Sequence, residues 1–192
     1  MRSNGKSLLH GFSLVEGLVA LLVISVVLGM AIINYSSIMP NFKANSALNQ
    51  ILSQMRSARE QAISHRREVQ VQFVGTNQIT IQELWVVGNP PPPVTYTFEG
   101  GAQFMTFAGV PDLPAPYNFG NTAAIYFGGQ SGGPPIMKFT TTGAFIDGGN
   151  TFLNGTVFLG IPGSPSTARA ISVLGATGRV RPYHYDGAAW QE

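Results

Sequence analysis

The hydrophobic pattern divides the chain into three regions, and the first is continuously apolar. Residues 17–33 (GLVALLVISVVLGMAII) contain no charged side chain and are almost wholly aliphatic. Together with Phe12, Leu14 and Val15 they form a stretch of 22 residues, 12–33. This length is enough to cross a hydrocarbon layer of about 30 Å as a helix. The sequence therefore predicts a membrane-spanning helix over residues 12–33.

The second region, residues 34–66, has an amphipathic pattern after Pro40. Apolar residues recur there at spacings of three and four, which predicts a helix that ends at about Ser64. The apolar stripe consists of Leu48, Ile51, Leu52, Met55, Ala58, Ala62 and Ile63. The basic residues lie mostly off the stripe: Lys43, Arg56, Arg59, Arg66 and Arg67. They favour a solvated face with cations toward the helix C-terminus, where the helix dipole stabilises them, with a ligand site as the alternative.

The third region, residues 67–192, has the period of two that is typical of β-strands. Residues 69–73 and 79–81 alternate apolar with polar side chains, and Gly-Thr-Asn at 75–77 is a turn signal, so we expect a hairpin. Four prolines at 90–93 favour a stiff surface connection. Further strand candidates are 94–98, 103–107, 122–127, 136–140, 156–161, 168–174 and 179–185. The expected fold class is α+β, a long N-terminal helix followed by an antiparallel β-sandwich-like head of about 120 residues.

Composition excludes several classes of protein. With 44% apolar and 10% charged residues among 192, the chain is too apolar for intrinsic disorder. The absence of cysteine excludes disulfides, thiolate metal sites and cysteine nucleophiles. Eleven basic residues oppose nine acidic ones, but Arg2 and Lys6 lie in the first eleven residues, so the remainder carries nine of each. General attraction to nucleic acid therefore does not follow from the basic pI.

The flanks of the apolar stretch favour a stable anchor over a cleaved secretory signal. Arg2 and Lys6 predict a cytoplasmic N-terminus. The segment that follows the stretch, NYSSIMPNF, contains no convincing A-x-A cleavage site. Glu16 is an acid inside the apolar stretch, where an ionised carboxylate is costly unless it is paired. An acid near the interface that reaches out to water is the alternative explanation.

The sequence GFSLVE at residues 11–16, after a short basic head and before an aliphatic helix, resembles the type IV prepilin signature. The resemblance implies that a prepilin peptidase cuts between Gly11 and Phe12 and methylates the new N-terminus. It also implies that Glu16 faces the terminal amine of a neighbouring subunit during assembly. Two departures are Gly17, where the family usually carries leucine, and a first proline only at Pro40.

Within that family the layout resembles the GspH/FimT-type minor pseudopilins, through the leader and residues 56–69 and 171–190. The resemblance implies a non-enzymatic subunit of a type II secretion pseudopilus or a type IV pilus. It would be a single-pass protein of the bacterial inner membrane with a cytoplasmic N-terminus and a periplasmic head. Its expected parts are a leader (1–11), a membrane and assembly helix (12–33), a stalk helix (34–66) and the head (67–192). Its partners would be the peptidase, other pilins in a fibre and the inner membrane.

The C-terminal GRVR segment offers a second interpretation. As a strand it would place Arg179, Arg181, Tyr183 and Tyr185 on one face, a platform for a phosphate backbone and stacked bases. The resemblance to FimT-type proteins implies DNA binding by such a motif, in natural transformation. The alternative is structural, with the arginines paired to acids such as Asp186 or to a neighbouring subunit.

Enzyme and metal chemistry have weaker signals. Ser131 lies in a G-x-S-x-G pattern, with Asp147 and His184 in the order of a hydrolase triad. A nucleophile elbow needs a helix after the serine, whereas Gly-Gly-Pro-Pro follows at 132–135, so we expect a loop. The histidines are not in a metal-ligand spacing, and residues 147–150 lack the further acids of a calcium loop, which favours a turn. We expect no catalytic residues, metal or cofactor.

Overall fold

The computed structural model describes residues 13–85 and 87–192, without the side chains of residues 30–37. Its first element is helix α1, Leu14–Ser64, which contains Pro40. The predicted end of the helix at Ser64 is confirmed. Because proline has no N–H, Pro40 removes one hydrogen bond from the helix ladder without ending it.

The C-terminus of α1 is closed by a residue in the left-handed conformation. Arg66 has φ of 53°, and the N–H of Arg67 donates to the carbonyl oxygen of Ala62 at 3.2 Å. This is the usual way in which the last carbonyl groups of a helix are satisfied while the chain turns away. The turn starts the first strand immediately after the helix.

The chain forms two compact units, one up to Met39 and one from Pro40 to Glu192. The boundary lies inside α1, so the amphipathic part of the helix belongs to the second unit. All the strands belong to that unit as well.

The predicted hairpin is confirmed. Strands β1 (Glu68–Val74) and β2 (Gln78–Leu84) pair antiparallel, with Val71 opposite Ile81. The side chains of Val69, Val71, Ile79 and Ile81 are buried, as the alternation predicts.

The remaining strands complete two antiparallel sheets. They are β3 (Val94–Thr97), β4 (Gln103–Phe104), β5 (Ile125–Phe127), β6 (Gln130–Ser131), β7 (Met137–Phe139), β8 (Phe145–Asp147), β9 (Gly155–Ile161), β10 (Ser164–Leu174), β11 (Arg179–Tyr185) and β12 (Trp190–Gln191). The five-stranded sheet has the order β3-β2-β1-β7-β8. The seven-stranded sheet has the order β12-β11-β10-β9-β5-β6, with β4 paired to β9. The expected α+β class, with a long helix before antiparallel sheets, is confirmed.

Each strand candidate from the sequence contains a strand, but β6, β8 and β12 were not expected. These strands are two or three residues long, too short for a period of two to be visible. β10 begins earlier than expected, at Ser164, and its pairing with β9 shifts register between Ser164 and Arg169.

The main core is shared by α1 and both sheets, rather than by two sheets facing each other alone. The predicted stripe is buried from Leu48 to Ala62 and packs in one cluster with residues such as Val71 and Ile171. Ile63 is a correction, because it is 41% exposed in the last turn of the helix.

A second, smaller apolar cluster covers the other face of the seven-stranded sheet. Ala168 and Ala170 of β10 belong to it, whereas Ile171 and Val173 belong to the main core, so the two clusters lie on opposite faces. The segment from 107 to 117 packs over this outer face. The indole Nε1 of Trp190 donates to the carbonyl oxygen of Pro111 at 2.8 Å and fixes the segment there.

Candidate functional site

Glu16 lies in the first turn of α1 and is exposed. The N–H of Gly17 donates to the carbonyl oxygen of Ser13 at 3.1 Å, so the helix already has its first hydrogen bond there. A carboxylate in the first turn is stabilised by the helix dipole. Because the Glu16 side chain is exposed, it can be reached by a group on another molecule.

The helix around and beyond Glu16 exposes apolar side chains on all sides. Their exposed fractions lie between 52% and 82% for Leu14, Val15, Leu18, Val19, Leu21, Leu22, Val23, Ile24, Val26, Val27 and Leu28. The hydroxyl of Ser25 donates to the carbonyl oxygen of Leu21 at 2.8 Å, so this polar group is satisfied within the helix. Contiguous apolar surface on this scale marks a site of contact with lipid or with other proteins.

The predicted processing residues, Gly11 and Phe12, lie outside the described residues. A Cβ at Gly17 would have no atom of the described residues within 4 Å, so no contact among them requires glycine at this position. Across the described ranges 13–85 and 87–192, no helix combines the length and the hydropathy that a membrane span requires.

The GRVR segment lies at the start of β11, and its two arginines have different surroundings. Arg179 is exposed. Arg181 donates from Nη1 to Oε2 of Glu192 at 2.5 Å, and its guanidinium carbon lies 4.9 Å from the centre of the Tyr117 ring. Desolvation is the largest single influence on Arg181 and works against its charged form, but Glu192, Tyr117 and Tyr183 together outweigh it and raise the pKa of Arg181. Arg181 is therefore already paired, whereas Arg179 is available.

The prediction that Tyr183 forms part of a base-stacking platform is wrong, because Tyr183 is buried. Its side chain is only 4% exposed and packs in the outer-face cluster with Trp190. Burial raises the pKa of the Tyr183 phenol, which keeps it neutral. A phenol covered in this way has no free face for a base. The side chains of β11 alternate between the two faces of the sheet as predicted. The segment that covers the Tyr183 face lies elsewhere in the chain and could not be identified from the sequence of β11.

A cleft of about 670 Å³ connects Arg179 to the helix. Arg56, Arg59 and Glu60 line it from α1, and Tyr117 lines it from the outer-face segment. Nε of Arg59 donates to the carbonyl oxygens of Gly143 and Thr177, at 3.1 and 3.2 Å, and so ties the helix to the turns before β8 and β11. The sequence placed Arg56 and Arg59 on a solvated face. Their spacing of three residues was visible in the sequence, but the turns that they face could not be predicted from it.

Arg169 is a buried cation that the sequence analysis missed. It is 5% exposed, and Nε donates to Oδ1 of Asn45 at 2.6 Å while Nη2 donates to Oδ1 of Asn41 at 3.2 Å. Nη1 donates to the carbonyl oxygens of Ser166 and Ala168. Desolvation lowers the pKa of Arg169, and these neutral acceptors hold the charge in place. A single charge within the apolar run of β10 was the available signal.

The residues of the suspected triad are not brought together. Ser131 lies in β6, which pairs with β5 in a short hairpin, and no helix follows it. Asp147 belongs to the five-stranded sheet, whereas His184 belongs to the seven-stranded one. Oδ1 of Asp147 accepts the N–H groups of Gly149 and Thr151, both at 2.8 Å, which is the turn expected at 147–150. Within the described part of the chain, no group of three or more His, Asp or Glu residues could hold a metal.

No protein-family profile and no curated protein matches this chain. Solved structures similar to it include the type IV minor pilin FimU of Pseudomonas aeruginosa, which is 15% identical with a TM-score of 0.47. The match covers 77% of this chain and 92% of the FimU chain. The minor pseudopilin EpsH from the Type 2 Secretion System of Vibrio cholerae is 13% identical with a TM-score of 0.47, and the match covers 74% of this chain and 97% of EpsH. A second crystal form of FimU gives 14% identity and a TM-score of 0.44, and the match covers 72% of this chain and 90% of the FimU chain.

Proposed function

We propose that this protein is a non-enzymatic structural subunit of a type IV pilus or a type II secretion pseudopilus. It is made as a precursor in the bacterial inner membrane, cut by a prepilin peptidase between Gly11 and Phe12, and assembled into a fibre through α1. The single observation that supports this most is the exposed apolar surface of α1 from Leu14 to Leu28, with Glu16 in its first turn.

The physical reason is that these apolar side chains are exposed and belong to neither buried cluster of the described residues. Their exposure to water is unfavourable at about 25 cal/mol per Å² of apolar area. Lipid before assembly and neighbouring helices after assembly both remove the area from water. In either setting Glu16 needs a cation, and the α-amine created at Phe12 lies four residues away in sequence.

The domain assignment follows from this proposal. Residues 1–11 are the leader, 12–33 the membrane and assembly helix, 34–66 the stalk helix and 67–192 the periplasmic head. The two bases of the leader hold the N-terminus in the cytoplasm, and a single span then places the head in the periplasm.

The first experiment is mass spectrometry of the protein isolated from its native membrane. We expect a mature chain that starts at methylated Phe12. A mature chain that still starts at Met1 would contradict the proposal.

The second experiment tests Glu16. We expect Glu16→Ala to be cleaved normally but to enter fibres poorly, because its carboxylate can no longer pair with a neighbour's amine. Ser25→Ala is the matched control, since the Ser25 hydroxyl is satisfied within the helix. Equal incorporation of the two variants would remove the proposed role of Glu16.

Capture of DNA is the second candidate function. The observation in its favour is that Arg179 is exposed in a cleft with two further arginines. Arg181 and Tyr183 favour it less, because one is paired and the other is buried. With about two phosphate contacts, the logarithm of affinity should fall with the logarithm of salt at a slope of about −2. Binding of the full chain to duplex DNA, compared with the double variant Arg179→Ala/Arg181→Ala, tests this; equal or salt-independent binding rejects it.

A further inference from the structure

The cleft between the end of α1 and the start of β11 is formed by two segments that lie far apart in the sequence. Arg56, Arg59 and Glu60 come from the helix, and Arg179 comes from the strand. All of them belong to the Pro40–Glu192 unit. With three guanidinium groups and one carboxylate, the lining carries a formal charge of +2.

The cations of the cleft are not neutralised within the described residues. Ion pairs in that part of the chain join His65 and Arg67 to Glu83, Lys138 to Glu68, and Arg181 to Glu192, and none of them includes a cleft arginine. Arg59 makes its hydrogen bonds to the chain through Nε, which holds the guanidinium at the wall of the cleft. Arg56 and Arg179 are exposed. An anion would therefore meet cations on two sides.

The cleft is also lined by aliphatic side chains, and these distinguish between classes of anion. Ile63, Leu174 and Val180 line the cleft beside the arginines. A nucleic acid backbone carries charge along its whole length, and its phosphates gain nothing from aliphatic side chains. A peptide with one carboxylate between apolar side chains matches both parts of the lining.

The start of β11 adds a backbone feature that fits an extended peptide. β12 pairs only with His184 and Tyr185, so Arg179 and Val180 lie in a part of β11 with a partner strand on one side, β10. An open strand edge is a usual place for an extended segment to dock. Pro182 has no N–H and limits how far along the edge such pairing continues.

We propose that this cleft binds an acidic segment of another protein chain, whose carboxylate lies between Arg56 and Arg179 while its apolar side chains contact Ile63 and Leu174. The inference rests on the proposed function only in taking that chain to be a neighbouring fibre subunit. Arg59 positions the two turns around the cleft, and Arg56 and Arg179 supply the charge that selects an acid.

The test measures peptide binding to the full chain in non-ionic detergent micelles. The probe is a fluorescent pentapeptide with one central glutamate between valines, and its neutral match replaces that glutamate with glutamine. We expect saturable binding of the acidic peptide, weakened about 1.5-fold to fivefold by either Arg56→Gln or Arg179→Gln, since each removes one partly solvated charge pair. Arg66→Gln is the matched control, because Arg66 is also exposed but does not line the cleft.

Several results would overturn the proposal. They are absence of saturable binding, equal binding of the glutamine peptide, and equal losses from the cleft variants and the control. Tighter binding of duplex DNA through the same two arginines would assign the cleft to nucleic acid instead. The experiments on the mature N-terminus and on Glu16 do not involve the cleft, so its failure and failure of the proposed function are distinguishable.

Discussion

Gly178 gives the sharpest prediction about the turn between β10 and β11. It has φ of +59°, a left-handed conformation that residues with a Cβ rarely adopt. A Cβ at this position would also overlap the carbonyl oxygen of Gly143 and lie 3.1 Å from Nε of Arg59. Gly178→Ala therefore combines backbone strain with a collision against backbone, which has little freedom to move away.

The magnitude can be divided into two parts. The left-handed conformation costs a residue with a Cβ about 1–2 kcal/mol. Forcing extra volume into packed structure costs about 1–3 kcal/mol more. We expect Gly178→Ala to lower the free energy of unfolding by about 2–5 kcal/mol, a fall in Tm of about 4–20 °C for a chain of this size.

Gly163→Ala is the matched control for this prediction. Gly163 has φ of +78°, and a Cβ there would have no atom within 4 Å. It should therefore lose only the conformational part, about 1–2 kcal/mol. The assay is thermal unfolding of both full-length variants, followed by near-ultraviolet circular dichroism. Equal destabilisation of the two would refute the close approach of Gly178 to Gly143.

Two further predictions concern hydrogen bonds of the same unit. Asn45→Ala should lower the free energy of unfolding by about 1.5–3 kcal/mol, because it removes an acceptor of the buried Arg169 guanidinium, and urea titration against the exposed Asn49→Ala checks this. Asp186 accepts the N–H of Ala189 and of the residue before it at 2.8 Å, and these bonds lower the pKa of its carboxyl. A lowered pKa stabilises the fold above the unfolded value of about 4 and loses that effect as pH falls through the folded value. Urea unfolding at stepped pH should therefore show a shallower acid loss for Asp186→Asn; identical profiles would contradict it.

The local sequence pattern predicted the secondary-structure elements well. The surroundings of the candidate site residues were not predicted, because they depend on segments that lie far away in the sequence. The end of α1 at Ser64 and the hairpin at β1 and β2 follow from periodicity, because each element expresses its own period in consecutive residues. The burial of Tyr183 does not, since the segment that covers it comes from about seventy residues earlier in the chain. The same holds for Arg56, whose position on the helix was clear while the strand opposite it was not.

The two amides that hold Arg169 lie directly after the boundary between the units. Asn41 and Asn45 are one helical turn apart and follow Pro40. The guanidinium of Arg169 is therefore hydrogen-bonded to the helix at the start of the second unit. Local unfolding that starts in the apolar part of the helix should stop at these hydrogen bonds. Backbone amides beyond them should exchange with solvent deuterium far more slowly. The unit from Pro40 to Glu192 can therefore keep its structure while the preceding part of the helix changes its surroundings.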